Sequence, residues 1–154
     1  MLNHYGINTP LISYFDHNKD IRIPKIIDII QSGDCVSLVT DAGTPAISDP
    51  AYRLVRFAIK NNIKVESVPG ASAVLTSLVS SGLPTDRFIF EGFLPLKKGR
   101  KKRIQSMENE LATIIIYESP KRLIRTLRHL NEILGNRPAV IARELTKIHE
   151  EYIR

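Results

Sequence analysis

Residues 35–60 read CVSLVTDAGTPAISDPAYRLVRFAIK, and this stretch gives the first indication of the fold class. The first six residues form a short, mostly apolar segment that is rich in β-branched side chains, which is typical of a buried strand. A loop with glycine and proline follows at residues 40–50, and apolar residues then recur with helical spacing over residues 51–61. Pro50 favours the first turn of that helix. The stretch therefore predicts a strand, a loop at the carboxyl edge of a sheet, and a helix.

The same alternation continues through the rest of the chain. Further strands are predicted at residues 64–68, 88–93, 113–117 and 139–142, and further helices at 21–32, 72–81, 103–111 and 120–134. Strands that alternate with helices are typical of an α/β fold with a mostly parallel sheet. Gly82 and Pro84 interrupt both patterns, so we predict two small α/β domains, residues 1–84 and residues 85–154, with the mostly parallel sheet in the first.

Composition excludes several classes of protein. The 154 residues are 43% apolar and 25% charged, which fits a compact chain and not a disordered or collagen-like one. Cys35 is the one cysteine, so it cannot form an internal disulfide or a cysteine zinc site. The apolar runs are far shorter than the ~20 residues of a membrane-spanning helix, and the start does not resemble a signal peptide. We expect a soluble, cytoplasmic protein with no membrane partner.

The net charge of +6 is concentrated in the second part of the chain. Residues 1–85 hold seven Lys/Arg and seven Asp/Glu, whereas residues 86–154 hold fifteen and nine, an excess of 15 − 9 = +6. Six cations fall within seven residues, and an anion such as nucleic-acid phosphate would relieve their repulsion. These candidate RNA-binding residues are Lys97, Lys98, Arg100, Lys101, Lys102 and Arg103. The alternative is a solvated loop or helix start, because no aromatic residue is interleaved to stack bases.

Two glycine turns are candidate binding loops. The first, TDAGTPAISDP at residues 40–50, contains Gly43 and two prolines, and it matches neither a dinucleotide nor a Walker motif. An ordinary turn with Asp49 as a helix cap is the alternative. The second, VPGASAV at residues 68–74, opens a helix with small side chains that leave N–H groups accessible to a carboxylate or ribose, although small residues also permit tight packing. Both turns follow predicted parallel strands, so we expect them to converge on one pocket.

A third candidate lies where the strand at residues 113–117 enters a helix. Tyr117, Glu118 and Ser119 stand at this junction, and Pro120 follows. Ser119 has the alternative interpretation of an N-cap, and Glu118 that of a favourable charge beside the positive helix end. The four histidines show no metal-ligand spacing, so no metal site is predicted.

Five motifs together resemble one family. TDAGTPAISDP, VPGASAV, FEGFLP, YESPKR and ARELTKIHEE occur in the order and spacing of the ribosomal RNA small subunit methyltransferase I family, a branch of the tetrapyrrole methylase superfamily. The resemblance covers most of the chain. It implies S-adenosylmethionine (SAM) as methyl donor in a cleft between two α/β domains, transfer to the ribose 2′-oxygen of a cytidine in 16S ribosomal RNA of the small subunit, and a homodimer.

The resemblance and the loops together give the candidate site residues. The candidate cofactor-binding residues are Asp41, Ala42, Gly43, Thr44, Pro45, Pro69, Gly70, Ser72, Ala73, Tyr117 and Glu118. A base that takes the ribose hydroxyl proton would assist the displacement. Asp41 and Glu118 are the candidates for that base, with the ordering of a loop as the alternative role of either.

The chain departs from the family pattern at both ends. MLNHYGINTP resembles sequence downstream of the family's first strand and loop, and relatives continue beyond a segment like the one at Glu150. We therefore expect a piece truncated at both ends that has little methyltransferase activity alone. Two alternatives stay open: a methylase of a tetrapyrrole or another small molecule, and a noncatalytic RNA-binding fragment.

Overall fold

A computed structural model describes residues 2–154 as five α-helices, four strands and two short 3-10 turns. The helices are α1 (Lys19–Gln31), α2 (Ala51–Lys60), α3 (Ala73–Ser81), α4 (Arg100–Gln105) and α5 (Leu123–Leu134). The strands are β1 (Phe88–Phe93), β2 (Thr113–Tyr117), β3 (Ile141–Arg143) and β4 (Glu151–Ile153). The 3-10 turns are Leu2–Tyr5 and Pro120–Arg122. The chain forms two compact units, Met1–Ala71 and Ser72–Arg154.

The first unit is built on the packing of α1 against α2. Apolar side chains at helical spacing give each helix one buried face. The buried residues at this contact are Ile23, Ile26, Ile27, Leu54 and Ala58. Burial of each large aliphatic side chain stabilises the unit by about 1.5–3 kcal/mol. The unit is therefore held by a helix pair.

The strands predicted at residues 35–40 and 64–68 are not observed. Both segments lie outside any strand, and their apolar side chains are exposed, Val39 to 54% and Val68 to 84%. A strand forms only when its N–H and C=O groups pair with a neighbour, and the described part of the first unit has no strand pair. The expectation of a mostly parallel sheet in the first domain is corrected: the parallel pair lies in the second unit.

The second unit confirms the α/β fold class. β1 and β2 pair in parallel from Phe88 with Thr113 to Phe93 with Tyr117, and α4 lies in the connection between them. The register shifts between Phe90 and Gly92, where Gly92 has a positive φ of 63°. β3 and β4 form a separate antiparallel pair. The core of this unit is Leu94, Ile104 and Met107, packed against Ile114, Ile116, Leu130, Ile133 and Leu134.

The units divide between Ala71 and Ser72, before the boundary predicted between residues 84 and 85. α3 thus belongs to the second unit, where the Arg154 guanidinium donates to the Ser80 carbonyl at 2.8 Å. The helix predicted at residues 103–111 is also displaced, because α4 begins at Arg100 after a left-handed Gly99. The predicted domain organisation of the intact protein stays a prediction.

Candidate functional site

The first glycine turn has an unusual backbone. Gly43, Ala46 and Ser48 all have positive φ values, of 71°, 71° and 61°. Left-handed residues other than glycine are strained, and such strain often accompanies a binding loop. The Asp49 carboxylate compensates by accepting hydrogen bonds from the N–H groups of Ala46 at 2.9 Å and Ala51 at 2.8 Å. Asp49 therefore serves the first residue of α2, as the helix-cap alternative expects, and also holds the loop in its strained shape.

The second glycine turn lies beside the first. The Thr44 hydroxyl donates to the Ala71 carbonyl at 3.0 Å, a contact that spans 27 residues of sequence. Gly70 is exposed, and a Cβ added there or at Gly43 would meet no heavy atom within 4 Å. Both turns therefore keep open space beside their backbones. Asp41, Ala42 and Pro69 are also exposed, Pro45 is half-buried, and Ala73 is the exposed first residue of α3.

Ser72 has a structural task in addition to its candidate role. Its backbone is extended, and its hydroxyl accepts a hydrogen bond from the N–H of Leu75 at 3.4 Å, which makes it the N-cap of α3. A side-chain oxygen at this position satisfies one of the N–H groups that a helix leaves free. The VPGASAV motif thus begins a helix as predicted.

Tyr117 and Glu118 stand at the carboxyl end of β2, where the sequence places them. The ring of Tyr117 contacts Phe90 and Phe93 edge-to-face, with centroids 4.9 Å and 5.5 Å away. Burial raises the pKa of the Tyr117 hydroxyl. The phenol therefore stays neutral at ordinary pH and can only donate or accept a hydrogen bond.

Glu118 is a buried carboxylate whose oxygens are occupied. Its side chain is 6% exposed and accepts hydrogen bonds from the Thr126 hydroxyl at 2.6 Å and the Ser119 N–H at 2.8 Å. Arg122 Nη2 lies 2.7 Å from Oε1, and Arg100 Nη2 lies 3.7 Å from Oε2. Burial raises the pKa of Glu118, but the hydrogen bonds and the two guanidinium groups outweigh it, so that the pKa lies below its usual value. Such a group binds protons weakly and is a poor general base.

Arg100 points into the protein and away from the proposed RNA surface. It is 7% exposed, and its guanidinium donates to the Thr126 hydroxyl at 2.6 Å and to the Pro95 carbonyl at 3.1 Å. Movement of this guanidinium away from Glu118 would leave the buried carboxylate without one of its two neighbouring positive charges, which would destabilise the fold. The structure therefore removes Arg100 from the set of candidate phosphate contacts.

The remaining cations of the basic run differ in availability. Lys97, Lys98, Lys101 and Lys102 are exposed, and none of them forms an ion pair within residues 2–154. Arg103 is also exposed, but its Nε lies 2.6 Å from Glu91 Oε2, so part of its charge is compensated. Residues 100–103 form the start of α4, as the helix-start alternative expects, and Lys97 and Lys98 precede the helix.

Sequence reasoning missed Thr126, whose hydroxyl joins Arg100 to Glu118. Thr126 is 2% exposed and lies three residues after Leu123, on the buried face of α5. A polar residue among the apolar positions of an amphipathic helix was the available signal, because buried hydroxyls require partners. The spacing of Arg122, four residues after Glu118, was a second signal.

Two kinds of feature are absent from the described residues. No group of three or more His, Cys, Asp or Glu side chains within residues 2–154 is placed to hold a metal ion. No helix in that range is long and apolar enough to span a membrane.

Comparisons with known proteins agree on one group. The family model of the tetrapyrrole (corrin/porphyrin) methylases matches residues 15–154. Over 155 residues and 100% of this chain, the sequence is 50% identical to the ribosomal RNA small subunit methyltransferase I of Halalkalibacterium halodurans, of which it covers 54%. The proteins of the same name from Synechocystis sp. and Thermotoga maritima are 49% and 45% identical over 100% of this chain, with 56% and 69% of their own lengths covered. The chain thus spans little more than half of most of these relatives.

Proposed function

This chain belongs to the tetrapyrrole methylase family, in its ribosomal RNA small subunit methyltransferase I branch, and we propose that it is part of an enzyme that methylates small-subunit ribosomal RNA. The acceptor in this proposal is the ribose 2′-oxygen of a cytidine in 16S ribosomal RNA. The name of these relatives favours RNA over a tetrapyrrole or another small molecule as substrate. The same resemblance is the basis for proposing a cytoplasmic homodimer.

The observation that carries the proposal is the contact between the two glycine turns. The Thr44 hydroxyl and the Ala71 carbonyl, 3.0 Å apart, hold the two loops side by side. The exposed backbone of Gly43 and Gly70 fits a ligand that is bound through main-chain N–H and C=O groups, as the ribose and carboxylate of SAM can be. SAM, when bound, supplies an activated methyl group. The residues of these turns would bind and orient it.

Asp41 is the better of the two candidate bases. It is exposed in the first glycine turn, whereas Glu118 is buried and surrounded by donors. A base must be free to accept the hydroxyl proton, and a well-placed one contributes about 10²–10⁴-fold to the rate. We assign Glu118 to the ordering of the junction between β2 and α5, with Tyr117 beside it as a cofactor candidate.

The RNA contact is assigned to Lys97, Lys98, Lys101 and Lys102, with Arg103 as a weaker participant. These ammonium groups are exposed, and each can exchange bound counterions for an RNA phosphate. Such contacts position the RNA and carry no sequence information.

Donor binding is tested by isothermal titration of the chain with SAM. Thr44→Val removes the hydroxyl that joins the two turns, and we expect it to weaken SAM binding by about threefold to tenfold. Thr113→Val is the matched control. The Thr113 hydroxyl also donates to a carbonyl that is distant in sequence, that of Pro84 at 2.7 Å, but Thr113 is the first residue of β2 and belongs to neither glycine turn. Equal affinities of the two variants would contradict the assignment of the turns.

RNA binding is tested by fluorescence anisotropy with a single-stranded RNA over a range of salt concentrations. Lys101→Gln/Lys102→Gln should lower the affinity and reduce the salt slope by about 0.7 for each phosphate that the chain no longer neutralises. Lys25→Gln/Lys60→Gln removes the same charge from exposed lysines of α1 and α2 and should leave the slope near that of the unaltered chain. An unchanged slope in the first variant would favour the solvated-helix alternative.

A further inference from the structure

A groove of about 600 Å³ runs between α4 and α5 in the second unit. Its volume falls within the range of about 300–1,000 Å³ that is usual for ligand pockets. Lys97 and Lys101 line it from the side of α4, and Arg125 and His129 line it from the side of α5. The last two are four residues apart and therefore share a helix face. None of the motifs that identify the family includes Arg125 or His129.

The two helices that line the groove run in the same direction. Arg100, at the start of α4, donates to Thr126 near the start of α5 at 2.6 Å. Beyond the other end, the Arg137 guanidinium donates to the carbonyl of Glu110 at 3.1 Å and also to that of Glu108. The starts of the two helices therefore lie together, and so do their ends.

Because the helices are parallel, the groove is electrically polarised along its length. Lys97, Lys101 and Arg125 come from the early parts of the two segments, His129 lies near the middle of α5, and Glu108 and Glu132 line the groove from the later parts. Leu96, which is 66% exposed, and the partly buried Ile133 line it as well and supply an apolar surface. The groove thus offers cations at one end, carboxylates at the other and apolar side chains along its length.

We propose that this groove binds one nucleotide unit of single-stranded RNA, with the phosphate at the basic end and the base over Ile133. A nucleotide carries its negative charge at one end and a planar, largely apolar base at the other, which matches this order of side chains. The carboxylates of Glu108 and Glu132 can accept hydrogen bonds from an exocyclic amino group, as Glu does from cytosine N4. An acidic peptide fits less well, because its successive carboxylates would meet these glutamates.

The groove also continues the basic run, since Lys97 and Lys101 belong to both. The inference rests on the proposed RNA-binding function and extends it: the RNA passes from the exposed lysines of the basic run onto Arg125 of α5. Arg125 is exposed and forms no ion pair within residues 2–154, so its charge is free for a phosphate.

The test measures the binding of the full chain to fluorescent oligocytidine and oligouridine at two salt concentrations. Arg125→Gln should weaken binding about fivefold to tenfold and reduce the salt slope by about 0.7, as expected for one phosphate contact. Arg125→Lys should retain most of the affinity. Arg128→Gln is the matched control, because Arg128 is an equally exposed arginine of α5 that does not line the groove. We expect it to change the affinity less than twofold.

The outcomes separate the inference from the function on which it rests. If Arg125→Gln and Arg128→Gln bind RNA with equal affinity while Lys101→Gln/Lys102→Gln still weakens binding, the groove is not a nucleotide site. The proposed function would be unaffected by that result. Failure of the unaltered chain to bind RNA would overturn both. If the chain binds polyglutamate as tightly as RNA or more tightly, and Arg125→Gln abolishes that binding, the groove is a site for an acidic protein and not for a nucleotide. A preference for oligocytidine that Glu132→Gln abolishes would support the base placement, and equal binding of both oligomers by the unaltered chain would overturn it.

Discussion

Thr126→Val should destabilise the second unit strongly although it changes few atoms. The Thr126 hydroxyl accepts from Arg100 at 2.6 Å and donates to Glu118 at 2.6 Å, and the residue is 2% exposed. Valine has a similar shape but cannot form either bond. A buried guanidinium and a buried carboxylate would each lose a hydrogen-bond partner.

The magnitude follows from what each group retains. A hydrogen bond to a charged group contributes about 1.5–3 kcal/mol. Glu118 keeps the Ser119 N–H and Arg122, and Arg100 keeps the Pro95 carbonyl, so the loss is less than two full bonds. We expect the free energy of unfolding to fall by about 2–4 kcal/mol, a large part of the ~5–15 kcal/mol of an ordinary domain.

Urea denaturation followed by circular dichroism measures this loss, with Thr126→Ser as the control. Serine keeps the hydroxyl and removes one methyl group, which should cost about 1 kcal/mol. If the valine variant were no less stable than the serine variant, the hydroxyl would not be the stabilising group.

The same variant should alter the dependence of stability on pH. The pKa of Glu118 is lowered in the folded chain, with burial opposed by the hydrogen bond from Thr126 and by the other donors. Because the pKa of Glu118 is lower in the folded than in the unfolded chain, its ionised carboxylate stabilises the fold at any pH above the unfolded pKa of about 4.3. This stabilisation is lost as the pH falls through the pKa of the folded chain. Loss of the Thr126 bond should raise the Glu118 pKa, so the deficit of Thr126→Val should shrink in acid. Carbon-13 NMR titration of the carboxyl group would refute this reasoning if Glu118 titrated at the same pH in both proteins.

Three further predictions concern other parts of the chain. Asp49→Ala should lower the free energy of unfolding by about 0.5–2 kcal/mol and weaken SAM binding, because Ala46 and Ala51 lose their acceptor; unchanged titration with SAM would show that the loop keeps its shape without it. Arg137→Ala should lower the free energy of unfolding by about 1–2 kcal/mol in urea denaturation, because this guanidinium donates to the carbonyl of Leu134 at the end of α5 and to two carbonyls that follow α4. Arg128→Ala should change it little. The chain should transfer methyl groups from radiolabelled SAM to undermethylated small ribosomal subunits more slowly than a version extended to the length of its relatives. The reason is that the backbones of residues 35–40 and 64–68 are not paired in a sheet here. Equal turnover by the two proteins would contradict this prediction.

The sequence alone predicted several of the local elements and the order of the motifs. Residues 88–93 and 113–117 are strands at the predicted positions, and α2 and α3 lie within one residue of theirs, because apolar periodicity, Pro50 and Ser72 act over a few residues. The five motifs likewise indicated the family, since their residues are read without any knowledge of contacts.

Tertiary structure decided what depends on distant partners. Residues 35–40 have a strand-like composition but form no strand, because pairing needs a neighbouring backbone. Arg100 and Lys101 look alike in a basic run, yet one is buried against Glu118 and Thr126 while the other lines an open groove. The separation of structural from available cations, and the ion pair of Glu118 with Arg100 eighteen residues away, arise only when α4 and α5 pack together.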